Sequence, residues 1–335
     1  MTASEVIDMA VNPGSFPGNV LRIMAASVVA FMVCSTTAHG TAPPASRKGT
    51  PAPATMAIPT FEELQNGIFA GILPTPVKLV KGVYEGKPFV PGGANRPRVE
   101  LLESQPVTGD LDGDGNAESV VFLSEESGGT ATNLYMAVVS RTQGALTNSA
   151  TVLVGDRVSI RSASVEKGRI VLELLQFGSK DAACCPSELV TRTWSLARTG
   201  LVEQAVRKKP GTLSLATLSG TEWDLRGFGL NESLPGDARV TLHLEKDQLR
   251  GTAGCNRYLG SATTTKVPGE ITIKASKATN QVCGEKVMAI EERYLDALRH
   301  TIRFGFHVGD LILSWQKEDG SRGTLRFIPR KITPR

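Results

Sequence analysis

"IRFGFHVGDLILSWQKEDGSRGTLRFI", residues 302–328, holds three apolar stretches separated by Gly-Asp and Asp-Gly pairs. Ile302, Phe304, Phe306 and Val308 alternate with other residues and are answered by Leu311, Leu313 and Trp315. Successive side chains of a strand point to opposite faces, so this period of two puts the apolar set on one side of a sheet. With turns at Gly309-Asp310 and Asp319-Gly320, the stretch reads as a three-stranded antiparallel meander.

The same pattern runs through most of the chain. "RVTLHLE" turns Val240, Leu242 and Leu244 inward and Arg239, Thr241 and His243 outward. "LVGDRVSI" reads as two strands joined at Gly155-Asp156. "SVEKGRIVLELL" reads as two joined at Lys167-Gly168, with Ile170, Leu172 and Leu174 on one face. Strand candidates recur from Val99 to Leu201, which predicts a sandwich or barrel. Two segments break the pattern. In "TFEEL", Thr60 and Glu63 have capping-box spacing for a short helix. In "EKVMAIEERYLDALRH", Val287, Ile290, Tyr294 and Leu298 recur at helical spacing opposite Lys286, Glu292, Arg293, Asp296 and Arg299. The expected fold is mainly β. An N-terminal antiparallel sandwich or barrel-like domain precedes a C-terminal α+β domain, an antiparallel sheet carrying one amphipathic helix.

The expected organisation is a signal peptide at 1–40, a Pro/Ala/Thr-rich linker at 41–59, a β-rich domain at 60–207, a second domain at 212–330 and a basic tail at 331–335. Arg22 precedes the apolar run 23–33, which has signal-core length and is too short to span a bilayer. Cleavage falls after Ala38 or Gly40. Glu5 and Asp8 with no early cation place the true start nearer Val20. Bulky Val33 before Cys34 argues against a lipid anchor. The expected location is periplasmic or secreted, with no membrane span after cleavage. The tail "RFIPRKITPR", with Arg326, Arg330, Lys331 and Arg335, reads as a frayed, solvated end.

With 37 basic and 33 acidic residues the net charge is +4, too balanced for a nucleic-acid partner. The four histidines read as His39 beside the cleavage site and His243, His300 and His307 on solvated faces. No Gly-x-Ser-x-Gly, His-Glu-x-x-His or phosphate-cradling loop occurs, so no catalytic residue is assigned.

Two motifs carry possible chemistry. In "GDLDGDGNAES", Asp110, Asp112, Asp114, Asn116 and Glu118 match a calcium-type loop, and Gly113 and Gly115 let the chain curl. Val121 stands where an EF-hand has its bidentate glutamate, and a strand follows, so this is no EF-hand. A calcium site and a bare polar turn are both open readings. In "DAACCPSE", Cys184 and Cys185 form a vicinal disulfide, stay free thiols, or pair elsewhere. With Cys34 removed, four cysteines remain in an oxidising compartment, including Cys255 and Cys283.

From "GTEWDL" onward the chain resembles the META domain, the HslJ-like family of bacterial envelope proteins. The matching residues are Gly220 and Trp223; Gly254, Cys255, Asn256 and Gly260; Thr279 and Cys283; and Glu291 and Tyr294. Asn280 and Gln281 depart from the Arg or Lys, then Met, usual after that threonine. These residues read as structural: Asn256 bonds backbone in a turn, and Tyr258 and Trp223 fill the core. A Cys255–Cys283 disulfide and a buried pair of free thiols are both open; the bond would be worth roughly 3 kcal/mol. The resemblance implies envelope stress and assigns no catalytic residues. The first half more loosely resembles the domains that accompany META domains. The expected function is a non-enzymatic, exported binding protein with an envelope protein or glycan as partner. The alternatives are a hydrolase inhibitor and, third, an enzyme of unrecognised type.

Overall fold

The computed structural model describes residues 57–330, apart from 105–106, 130, 180, 182–185, 206–210, 230–231 and 235–237. The signal-peptide, Cys34, vicinal-cysteine and 331–335 readings therefore lie outside the described residues. The described chain is mainly β.

The N-terminal segment opens with helix α1 (Phe61–Leu64), and both halves of the capping box form between Thr60 and Glu63. A short ladder of β1 (Ile68–Phe69) and β2 (Val77–Lys78) follows. Arg141 pins this segment, donating to both Glu63 carboxylate oxygens at 2.7 Å and to the Ala57 carbonyl at 2.8 Å. That guanidinium, with the Thr60 bonds, holds the Glu63 carboxyl at about 2.

The first large sheet contains β3 (Val83–Glu85), β4 (Arg98–Leu101), β5 (Val107–Gly109), β6 (Glu118–Glu126), β7 (Asn133–Thr142) and β8 (Ala145–Asp156). Its order is β3-β4-β6-β7-β8, with β5 also on β6. Strand β6 is buried on both faces, so it reads as a nearly unbroken apolar run. Val121 and Leu123 meet Leu64, Phe69, Val77 and Leu79 from the N-terminal segment. Val120 and Phe122 face the second sheet.

That second sheet contains β9 (Ser159–Glu166), β10 (Arg169–Gln176), β11 (Glu188–Ala197), β12 (Gly200–Glu203) and β13 (Gly211–Thr212). The hairpin at Lys167-Gly168 has positive φ at both residues, 52° and 71°, which suits a two-residue turn. Ile170, Leu172, Leu174 and Trp194 meet Phe122, Met136 and Val138, giving a two-sheet sandwich core. The corner at 155–158 differs from a hairpin. β8 and β9 belong to different sheets, and the chain turns at Arg157, φ 49°.

The C-terminal half contains β14 (Glu222–Gly227), β15 (Thr241–Glu245), β16 (Gln248–Thr252), β17 (Arg257–Thr264) and β18 (Ile271–Lys277). Helix α2 (Glu285–Arg299) then leads to β19 (Thr301–His307), β20 (Asp310–Gln316) and β21 (Arg322–Arg330). These eight strands form one antiparallel sheet in the order β18-β17-β16-β15-β14-β21-β20-β19. It nearly closes into a barrel: the Phe304 amide donates to the Gly269 carbonyl at 2.8 Å, beside a Glu270–Arg303 bridge. Ile290, Tyr294, Leu295 and Leu298 of α2 join its core.

Several sequence expectations need correction here. Ile302 is 44% exposed, because an irregularity between Thr301 and Arg303 turns Thr301 inward in its place. Val308 packs against the core of the first half. Arg326 and Arg330 are not a frayed end: both lie within β21, and Arg326 is buried. His307 is largely shielded, and burial with the nearby Arg326 charge lowers its pKa. Both ring nitrogens of His243 are buried.

The two halves are packed together. Arg161 of β9 donates to the Thr217 carbonyl at 2.8 and 3.0 Å and sits 5.8 Å over the Phe306 ring. The Gly309 amide donates to the Ile160 carbonyl at 2.9 Å. Arg326 bonds Asp310 at 2.5 Å and reaches Glu103 of the first half, its carboxylate at 3.0 Å and its carbonyl at 3.1 Å.

Candidate functional site

Two of the sequence-marked clusters fall within the described residues. The aspartate loop connects β5 to β6. Oxygens of Asp110, Asp112 and Glu118 all lie within 4.8 Å of one another. The loop's own amides organise it: Asp110 accepts from Gly113 at 2.7 Å and Gly115 at 3.1 Å, and Glu118 accepts from Leu111 at 2.8 Å. Glu118 begins β6 and is 3% exposed, whereas Asp110 and Asp112 face solvent. Burial pushes the Glu118 carboxyl up; the Leu111 bond opposes this, and the charges of Asp112, Asp114 and Asp110 add to the rise.

Asp114 stands apart from this triad. It accepts from the Asn116 amide at 2.7 Å and its side chain at 3.1 Å, bonds that hold its pKa low. Calcium takes six to eight oxygens at short range. Three carboxylates fit part of that requirement, and carbonyls or water would have to supply the remainder.

The second cluster gathers the residues of the Gly-Cys-Asn, Thr-x-x-x-Cys and Glu-x-x-Tyr motifs at the mouth of the eight-stranded sheet. Asn256 is fully buried at its centre. Its amide donates to Glu291 at 2.6 Å, and its side-chain nitrogen donates to Glu291 at 3.1 Å and to the Gln281 carbonyl at 3.0 Å. Its side-chain oxygen accepts from the Thr279 hydroxyl at 2.8 Å and the Gln281 amide at 2.6 Å. Every hydrogen-bonding position of this side chain is therefore used.

Glu291 sits on α2 with its side chain fully enclosed, and Lys277 of β18 reaches it at 2.5 Å. Burial alone would raise its pKa; the bonds from Lys277 and Asn256 outweigh that, and the net shift is downward. Beside this network Cys255 and Cys283 form a disulfide with a Cα separation of 6.0 Å. Tyr258 and Tyr294 share a hydroxyl bond of 2.7 Å, and Tyr258 also donates to the Thr241 carbonyl at 2.9 Å. Burial pushes both phenols up, so they remain protonated donors.

The remaining motif positions have steric roles. A Cβ on Gly260 would stand 2.2 Å from the Lys274 carbonyl oxygen, which only glycine avoids. Gly254 and Gly220 adopt φ of 109° and 76°. Trp223 is buried, with its ring 6.2 Å from that of Phe306. Sequence reasoning missed Lys277 as the cation on Glu291, because nothing local links β18 to α2. It also could not show that Gln281 enters the Asn256 network through its backbone alone, so the unusual side chain there leaves these bonds intact.

Residues 216–331 match the family model described as the META domain. No curated protein matches the chain. A solved structure titled "NMR structure of the protein from Burkholderia xenovorans" is 23% identical. The match covers 38% of this chain and 97% of that one, with a TM-score of 0.28.

Proposed function

We propose, from the META domain matched over residues 216–331, that this protein is an exported, non-enzymatic binding protein of the bacterial envelope, acting under stress. The match carries the reading. The Cys255–Cys283 disulfide supports it, since such bonds persist in oxidising compartments and are rare in the cytosol. The apolar run at 23–33 after Arg22 supports export. On this reading Asn256, Glu291 and the disulfide brace the scaffold, and its surface meets an envelope protein or glycan.

The triad of Asp110, Asp112 and Glu118 is read as a calcium brace between β5 and β6. A divalent cation there would relieve the mutual repulsion of three acids, one of them buried.

Fractionation of bacteria producing the tagged chain tests the main reading. The expected result is recovery from the periplasmic or outer-membrane fraction, with Cys255 and Cys283 resistant to alkylation until reduced. Recovery from the cytosol with both thiols alkylatable refutes it.

A further inference from the structure

We infer that the outer face of β14–β17 is a binding groove for a small multivalent oxyanion, one carrying two or more phosphate or carboxylate groups. A cavity of about 530 Å³ lies on this face, with Arg239, His243, Arg250, Arg257, Leu259 and Arg330 in its lining. That size falls in the range of about 300–1,000 Å³ usual for small-molecule sites.

The ladder explains why these side chains meet. His243 of β15 pairs with Arg250 of β16, Arg250 pairs with Leu259 of β17, and Thr252 pairs with Arg257. Arg250 and Arg257 are therefore diagonal neighbours on one face, roughly 7–8 Å apart at the backbone. The inward partners of the same strands, Leu242, Leu249 and Tyr258, fill the core, so the arginines have no choice but the outer side.

What marks the groove is its unbalanced charge. Among the described residues, most buried or half-buried arginines hold a carboxylate: Arg141 holds Glu63, Arg192 holds Glu203 and Arg326 holds Asp310. At the groove wall Arg330 is likewise tied to Asp224 and Glu222. Arg239, Arg250 and Arg257 are exposed, and their guanidinium groups make no hydrogen bond or ion pair among the described residues. Three arginines thus share a concavity whose lining carboxylate, Glu222, is already tied to Arg330.

A guanidinium offers a planar fork of donors that fits phosphate or carboxylate oxygens two at a time. Several forks around one hollow recognise an anion with several acid groups better than a single ion. The concave shape also concentrates the positive field. Below them, both ring nitrogens of His243 are buried without a hydrogen-bond partner, and the nearest acid, Glu245, is 4.0 Å away. Buried polar groups left in that state are uncommon in folded proteins.

Isothermal titration of the full chain with tripolyphosphate, and separately with citrate, tests it. At least one probe should bind, and Arg250→Ser with Arg257→Ser should weaken that binding about tenfold or more. Arg322→Ser is the control. It removes an exposed arginine eight residues along β21 from Arg330, roughly 25 Å away, and should leave affinity unchanged. Preference for tripolyphosphate assigns a phosphoryl ligand, and preference for citrate assigns a carboxylate one. Amide shifts of the wild-type chain confined to Thr241–Leu259 on titration would support the site without any substitution. The idea is overturned if neither probe binds, if the double variant binds as the wild type does, or if the control weakens equally.

Discussion

Glu291 accepts two hydrogen bonds from Asn256, at 2.6 Å from its amide and 3.1 Å from its side chain, across 35 residues of sequence. This contact ties α2 to the start of β17, and Lys277 adds a third bond from β18. One carboxylate thus holds together three elements that contribute the family's motifs.

Replacing Glu291 with Gln keeps the shape and removes the charge. Hydrogen bonds to charged groups contribute about 1.5–3 kcal/mol each, so a loss of about that size is expected near neutral pH. The Glu291 pKa is lowered in the folded state, so its stabilisation is present above the ordinary value of 4.5 and fades as pH falls through the lower folded value. Urea unfolding of both forms should show the gap closing in acid. A constant gap across pH would show that the charge contributes nothing.

The disulfide closes a loop with a sequence separation of 28. Loop entropy puts its contribution at about 3–4 kcal/mol. Changing Cys255 and Cys283 together to Ser should lower the unfolding midpoint by a matching amount, and a reducing agent should lower the wild type equally. A midpoint unmoved by either treatment would contradict the estimate.

Arg326 is buried against Asp310, with Glu103 of the first half completing the cluster. Arg326→Leu strands a buried acid whose pKa burial already raises, at an expected cost of about 3–5 kcal/mol. Adding Asp310→Leu should recover much of that loss. Equal stability of the single and double variants in guanidinium melts would argue against a stranded charge.

His243 offers the opposite case. Its ring nitrogens are buried and unpartnered, so His243→Leu should be neutral or stabilise by up to about 1 kcal/mol. A large fall in melting temperature would mean that the imidazole has a partner this arrangement lacks.

Calcium should raise the melting temperature of the wild type relative to chelated protein, and Glu118→Gln should abolish that rise. Identical melts with and without calcium would leave the triad a polar turn.

The alternation in residues 302–328 and 239–245 was enough to read antiparallel strands, and the 3.6-residue period was enough to read α2. Both signals are local, because side-chain direction follows from the backbone of a single element. Tertiary structure decided which side of each strand met a core, and which acid met which base. Arg326 looked like a solvated tail residue until a glutamate 223 positions away reached it. His243 looked solvated because an outward phase says nothing about the neighbours that cover it. Nor could "LVGDRVSI" announce that its two strands join different sheets. Periodicity reports the conformation of a segment, whereas pairing depends on distant groups brought together only when the sheets pack.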